Sequence, residues 1–353
     1  MHGSLNLSSI NQRLKFFPQL KFYDEKVNTR LIPFAILTGP KNLRSQTANT
    51  DNNGFRYSIF EKLIYTVENI EEYREISLFL GGSTTFGVGA SSDAMTVVSQ
   101  YAKMSGEACL NLGVRGAVSV QELLHLFNTL PQANNVKKII IFSGVNDLYV
   151  NFSQKIASEF DARFEELGSE HLAYTPMRHL ATKILAMLYR VNSSKLLPLS
   201  KRELLTFPFS KHVEEKLITD CDRFEKLKQL QRRNFIVYSA LQKQLNCKIL
   251  FALQPFFPWT QKQATEEEAL VFSQLEKMQI FSDFLRVKEI IGRHSIYKEY
   301  LTILEDLSDE FGVEFYNLNP EFSGSKTLFC DQIHLTDCGN ILAAQLINER
   351  FTR

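Results

Sequence analysis

A chain of 353 residues is long enough for one large domain or two ordinary ones with a substantial core. Its apolar fraction of 44% and charged fraction of 22% exclude a disordered chain. The net charge of +1, from 40 basic and 39 acidic residues, argues against nucleic acid as a main partner, because phosphate binding leaves a basic excess.

Residues 1–22 hold no uninterrupted apolar stretch of the secretory type, and no window reaches the ~18–20 apolar residues of a membrane span. The five cysteines (Cys109, Cys221, Cys247, Cys330 and Cys338) are scattered, odd in number and without CxxC spacing. They read as free thiols in a reducing compartment, so a cytoplasmic location is expected. The 28 phenylalanines read chiefly as core.

Residues 1–60 are of mixed character, with a polar run from Arg44 to Gly54 that reads as an extended loop. From Ile76 the pattern changes. Ile76–Leu80 is a short apolar run stopped by Gly81-Gly82, as a buried strand entering a turn would be. Ser91 and Ser92 precede a periodic segment, Ala94–Met104, expected as a capped helix. Ala108–Leu112 is a second strand, Val118–Leu130 a second helix and Lys138–Ser143 a third strand. Lys248–Leu253 and Val313–Asn317 follow as the fourth and fifth. Helices are expected from about Ile296 to Phe311 and from about Thr336 to Phe351. Strands alternating with helices specify an α/β protein with a parallel, helix-flanked sheet. Residues 151–244 have no strand signal and a helical period, notably from His212 to Leu245, so they read as a helical insertion on the sheet domain, with a separate domain as the alternative. The expected organisation is an N-terminal extension over 1–75 packed on a core domain over 76–353.

Open parallel sheets bind ligands at the carboxyl ends of their strands. Three strand-end loops here carry chemistry: Gly81-Gly82-Ser83-Thr84-Thr85-Phe86-Gly87, Asn111–Gly116 and Ser143–Leu148. A fourth loop, Asp331–Thr336, precedes the last helix. Taken singly, Ser83 reads as a helix cap and Asn146-Asp147 as a turn. Together they supply complementary parts. Glycines allow the tight turn that exposes a nucleophile, and a hydroxyl needs a neighbouring base to accept its proton. Asp331 and His334 lie three apart in one loop, so the carboxylate can fix the imidazole's tautomer. The backbone N–H groups of Ser83 and Gly116 and the side-chain amide of Asn146 can converge on one oxyanion, each such donor contributing about 3–4 kcal/mol in acyl transfer.

Gly-Gly-Ser at 81–83, Gly116 in Asn-x-Gly-x-x-Gly, Gly-Val-Asn-Asp at 144–147 and Asp-x-x-His at 331–334 resemble, in order, the four sequence blocks of the SGNH (GDSL-type) hydrolases. The resemblance covers about 76–150 and 248–350. It implies Ser83 as nucleophile and oxyanion donor, Gly116 and Asn146 as further donors, His334 as base and Asp331 as its orienting carboxylate. It also implies a flavodoxin-like three-layer α/β/α sandwich of five parallel strands in the order 2-1-3-4-5. One departure stands out: Gly82 occupies the place where the first block usually has Asp. The Gly-Gly-Ser-Thr-Thr-Phe-Gly version is similar to a subgroup met beside bacterial surface-polysaccharide genes. The Gly-x-Ser-x-Gly elbow of α/β-hydrolases is absent, since Thr85 fills the last glycine's place.

His125 sits on the second helix, and His2, His171, His179, His212 and His294 have no acidic or cysteine neighbour at ligand spacing, so no metal is expected. No nucleotide-type phosphate loop is present either, and no cofactor is expected. Gln254-Pro255-Phe256-Phe257-Pro258-Trp259 follows the fourth strand, so Phe256 and Trp259 are candidates for an acyl or sugar pocket, with a proline-stiffened packed loop as the alternative. Arg115 is a candidate for a substrate anion, with a surface ion pair as the alternative. The expected activity is hydrolysis of an acyl ester, an O-acetyl or other short acyl group on a carbohydrate or small molecule. O-acyl transfer with the same residues, and carbohydrate binding on an inactive hydrolase fold, are the alternatives.

Overall fold

The computed structural model describes residues 13–32, 36–153, 218–277 and 282–352. The chain forms two compact units, Gln154–Asp220 and the remainder. Of the expected helical insertion, residues 154–217 lie outside the described residues. The segments on either side of it are helices, Val145–Ser153 and Asp220–Leu245.

Four short strands come first. They are β1 (Arg30–Ile32) and β2 (Ile36–Thr38), then β3 (Ser58–Phe60) and β4 (Leu63–Tyr65), each couple an antiparallel pair. The central sheet consists of β5 (Ile76–Leu80), β6 (Cys109–Asn111), β7 (Val136–Ser143), β8 (Lys248–Leu253) and β9 (Glu314–Asn317). All pairings in it are parallel, and the order is β6-β5-β7-β8-β9.

Strand period accounts for the layers. Successive side chains point to opposite faces, and here both faces are covered. Leu78, Leu80, Ile139, Ile141, Ile249 and Phe251 bury one face in the larger core. That face packs on α4 (Ser119–Thr129), α5 (Val145–Ser153), α6 (Asp220–Leu245) and α9 (His294–Phe311), through Leu126, Leu148, Phe235 and Leu304 among others. The alternate residues Phe79, Ile140, Phe142, Leu250 and Ala252 face α3 (Val97–Ser105) and α10 (Asp337–Thr352). Two buried faces explain why these strands read as continuous apolar runs. Full burial of each Leu, Ile or Phe contributes about 1.5–3 kcal/mol. A third cluster joins Phe17, Leu20, Tyr23 and Val27 to Phe86, Val88 and Cys330, so the N-terminal region packs directly on the loops at the strand ends.

One local expectation needs correction. Helix α3 is capped by Thr96, whose side chain accepts from the Ser99 N–H, and not by Ser91 or Ser92. A short 3-10 turn, Asp93–Met95, fills the preceding residues. The polar run 44–54 is a loop, as expected, and side-chain hydrogen bonds hold it. Asn49 donates from Nδ2 to Asp93 at 2.6 Å, and Asp51 Oδ1 accepts the Asn53 and Phe55 N–H groups. Among the described residues no helix is long and apolar enough to cross a membrane.

Candidate active site

The turn after β5 puts Ser83 at the carboxyl edge of the sheet. Gly81 has φ +156°, and a β-carbon there would lie 2.3 Å from the Phe142 carbonyl oxygen, so only glycine fits. Ser83 opens a four-residue helix, α2 (Ser83–Phe86), with Gly82 in the capping position that the lone-serine reading gives to Ser83 itself. Gly87, at φ +88°, ends the helix and donates its N–H to Ser83 O. Thr84, Thr85 and Phe86 are buried while Ser83 is half-buried. The turn is tied to the ends of three neighbouring strands. Thr85 Oγ1 donates to Phe142 O at 2.7 Å, Asn111 Nδ2 to Thr85 O at 2.9 Å, and Gln254 Nε2 to Thr84 Oγ1 at 3.0 Å.

The loop before α10 folds back on itself. Cys330 N–H donates to His334 O and Thr336 N–H to Leu328 O, each at 2.9 Å, leaving Asp331–Ile333 at the tip. Asp331 Oδ1 accepts the N–H groups of Ile333 and His334 at 2.7 and 2.8 Å. Its Oδ2 lies 2.6 Å from His334 Nδ1, and His334 Nε2 lies 2.8 Å from Ser83 Oγ. A carboxylate only accepts, so Nδ1 carries the ring proton and the lone pair of Nε2 faces the serine hydroxyl. Burial alone would raise the Asp331 carboxyl, but the charge and hydrogen bonds of His334, with Lys288 nearby, outweigh it and hold the group well below the usual carboxylate range. The His334 and Asp331 side chains are 17% and 15% exposed, so solvent reaches the pair without flooding it.

A second layer anchors this loop. Glu268, on α7 (Glu266–Lys277), accepts the Leu328 and Phe329 N–H groups on Oε1 at 2.8 and 3.0 Å. Its Oε2 pairs with Lys262 Nζ at 2.7 Å, with both side chains fully buried.

The segments that carry the expected oxyanion donors Gly116 and Asn146 lie against the turn that precedes Ser83. Asn146 donates from Nδ2 to Ala117 O at 2.7 Å, and Val114 N–H donates to Gly81 O at 3.1 Å. Gly116 is exposed on the loop between them. Asp147 is buried and accepts from Ser119 N–H and Oγ and from Gln231 Nε2, which locks the start of α5.

The N-terminal region reaches the same loops. Arg56, fully buried, donates to Gly87 O, Phe86 O, Thr47 O, the Tyr23 hydroxyl and Asp93. Tyr23 OH donates to Ala90 O at 2.7 Å and Gln19 Nε2 to Gly89 O at 2.8 Å. Nothing in the sequence signals these contacts, since a buried arginine has the same letter as a surface one.

The three candidate substrate contacts each have partners within the chain. Arg115 donates from Nη1 to Tyr23 O and Val27 O, the last carbonyls of α1 (Leu20–Lys26) and its cap, where a cation is favoured. Phe256 is fully buried, and Trp259 is stacked on Tyr297. The Trp259 Nε1 donates at 2.8 Å to the carbonyl of Ile291, the last residue of α8 (Ser282–Ile291). Both aromatics belong to the larger core cluster. His125 is buried against Phe55, and His294 begins α9. His2, His171, His179 and His212 lie outside the described residues.

The fold and this cluster define a class: a three-layer α/β protein with hydroxyl, imidazole and carboxylate hydrogen-bonded in series at the strand ends. Its structural neighbours include many SGNH and GDSL-type hydrolases. One is a carbohydrate acetylesterase from Sinorhizobium meliloti, with a TM-score of 0.41 and 15% identity over 79% of this chain and 99% of that one. An acetylxylan esterase from Geobacillus stearothermophilus gives a TM-score of 0.38 and 12% identity over 79% of this chain and 94% of that one. An extracellular lipase from Streptomyces rimosus gives 0.38 and 13% over 80% of this chain and all of its own, 100%. No protein-family model and no curated protein matches the chain.

Proposed function

We propose that this chain is a serine hydrolase of carboxylic esters. The observation that carries the reading is the series Ser83 Oγ to His334 Nε2 at 2.8 Å and His334 Nδ1 to Asp331 Oδ2 at 2.6 Å. An aligned base of this kind is what turns a hydroxyl into a nucleophile.

In this reading Ser83 Oγ attacks the ester carbonyl carbon while His334 Nε2 takes the hydroxyl proton. The carbonyl oxygen, now negative, is held by the N–H groups of Ser83 and Gly116 and the amide of Asn146. Collapse breaks the bond to the alcohol oxygen, which leaves with the proton from His334. Water then attacks the acyl-serine, again giving its proton to His334, and the acid and Ser83 are released. Asp331 stays ionised throughout and holds the imidazolium. The substrate is a short acyl ester of a carbohydrate or small molecule. The Gly-Gly-Ser-Thr-Thr-Phe-Gly block at 81–87 supports that choice, through its similarity to the polysaccharide-associated subgroup. In the same reading, residues 1–75 are an extension packed on the hydrolase domain, 76–353.

The test is turnover of an aryl acetate together with labelling by a serine-directed phosphonate. Wild type should do both, and Ser83→Ala neither. Equal labelling of the Ser83→Ala variant overturns the assignment.

A further inference from the structure

Gly82 is where this chain departs from the sequence blocks it resembles, and a left-handed φ is not the reason for the glycine. With φ −86° and ψ −145°, it lies outside the left-handed region. The reason lies across the site. A β-carbon on residue 82 would sit 2.4 Å from Asn146 Nδ2 and 3.5 Å from both Asn146 Cγ and Ala117 O. Real β-carbons do not approach another heavy atom within 3.0 Å, so the Asn146 amide rests against the bare Cα of Gly82. From that seat it donates one N–H to Ala117 O at 2.7 Å.

The surroundings leave only the amide free to yield. Asn146 is in the first turn of α5, whose start is fixed by the three hydrogen bonds to Asp147 from Ser119 and Gln231. Ala117 is fixed through its N–H to Val114 O, and Val114 through its N–H to Gly81 O, each at 3.1 Å. Gly81 in turn lies close against the Phe142 carbonyl of β7. A side chain at 82 therefore swings the Asn146 amide off Ala117 and away from the residue next to Gly82, which is Ser83.

We propose that Gly82 is a positioning residue: its missing side chain seats the Asn146 amide beside Ser83, where the second N–H meets the oxyanion. This rests on the ester-hydrolase reading. It makes Gly82 and Asn146 one functional unit, and the glycine a requirement of this site.

A two-by-two cycle of Gly82→Ala and Asn146→Ala tests it, read as kcat and KM on an aryl acetate and as Tm. Asn146→Ala should lower kcat about 10²–10³-fold, as loss of one oxyanion donor does. Gly82→Ala should lower kcat at least about tenfold with KM little changed, since the lost contact forms only in the transition state. The double variant should be no slower than Asn146→Ala alone. Gly82→Ala should lower Tm in the wild-type chain but hardly at all in the Asn146→Ala background. Wild-type kcat in Gly82→Ala, multiplying effects in the double variant, or equal Tm losses in both backgrounds would each overturn the proposal. If Gly82→Ala fails to fold, the double variant should still fold, because Asn146→Ala vacates the space. A double variant that also fails to fold means that the methyl added at position 82 strikes something other than Asn146, and the proposal falls. The Tm cycle reads the seat without any turnover. An inactive wild type with a coupled Tm cycle therefore counts against the ester-hydrolase reading and leaves the contact standing.

Discussion

Arg56 and Asp93 form an ion pair at 2.8 Å whose side chains are 0% and 2% exposed, and the same guanidinium holds the carbonyls of Phe86 and Gly87 at the end of the Ser83 helix. The N-terminal region is thereby joined to the turn that presents Ser83. Two buried ions stabilise little as a pair, but removing one leaves the other stranded, at a cost of about 3–5 kcal/mol. Arg56→Met should therefore lower unfolding free energy in urea by about that much. Arg56→Lys should rescue only part, because an ammonium cannot reproduce a fork with five acceptors. A loss below about 1 kcal/mol in Arg56→Met would show that the pair is not the tie.

The parts of the structure that could be read from the sequence are those whose physics repeats along the chain. Ile76–Leu80 and Lys248–Leu253 are expected as strands and are strands with those bounds, because burial on both faces leaves an unbroken apolar run. Ser83, Asn146, Asp331 and His334 could be singled out because unusual residue types gather at strand ends. Arg56, Lys262 and Glu268 could not, since a buried charge is written like a solvated one. The β3–β4 hairpin was equally invisible. Its turn residues Glu61 and Lys62 take φ of +48° and +70°, where the sequence signal is Asn-Gly. The burial of Phe256 and Trp259 depends on Tyr297 and Ile291, partners from distant helices that a local reading does not join to them.

Arg115 separates a binding role from an anchoring one. Its two bonds run to Tyr23 O and Val27 O, so Arg115→Met should release α1, seen as faster amide exchange over residues 20–27. The ratio of kcat/KM for an anionic to a neutral ester should stay unchanged. A selective loss on the anionic ester would return Arg115 to the substrate.

His125 makes stability fall in mild acid. Burial lowers its imidazole from 6.5 to about 4, only partly opposed by a backbone hydrogen bond to Leu37, and Nε2 has no partner among the described residues. Above pH 6.5 the ring is neutral whether the chain is folded or not, and the full stability is present. As pH falls from about 6.5 to about 4, the unfolded chain takes up a proton that the folded one refuses, so stability drops towards a total of about 3 kcal/mol. His125→Leu removes the titrating group and should flatten this part of the curve of urea midpoint against pH. A curve of unchanged slope in His125→Leu would assign the loss to other groups.

Glu268 is placed to act on the proposed base, His334, without touching it. Its Oε1 holds the Leu328 and Phe329 N–H groups, just ahead of Asp331, and its Oε2 is paired with Lys262 in full burial. Glu268→Gln keeps an acceptor for the two N–H groups but leaves the Lys262 ammonium buried without its counter-charge, a loss of about 3–5 kcal/mol. Lys262→Met in the same chain removes that stranded charge, and the double variant should regain most of the stability. The proposed catalysis should respond differently. The base must stay within hydrogen-bond reach of Ser83 Oγ, and displacement by about 1 Å costs up to about 10²-fold. Glu268→Ala, which frees the loop outright, should therefore lower kcat and the rate of phosphonate labelling together at temperatures where the variant is fully folded, with KM little altered. Labelling at the wild-type rate in folded Glu268→Ala would show that the Asp331–His334 hairpin holds its own shape, and that the buried pair serves stability alone.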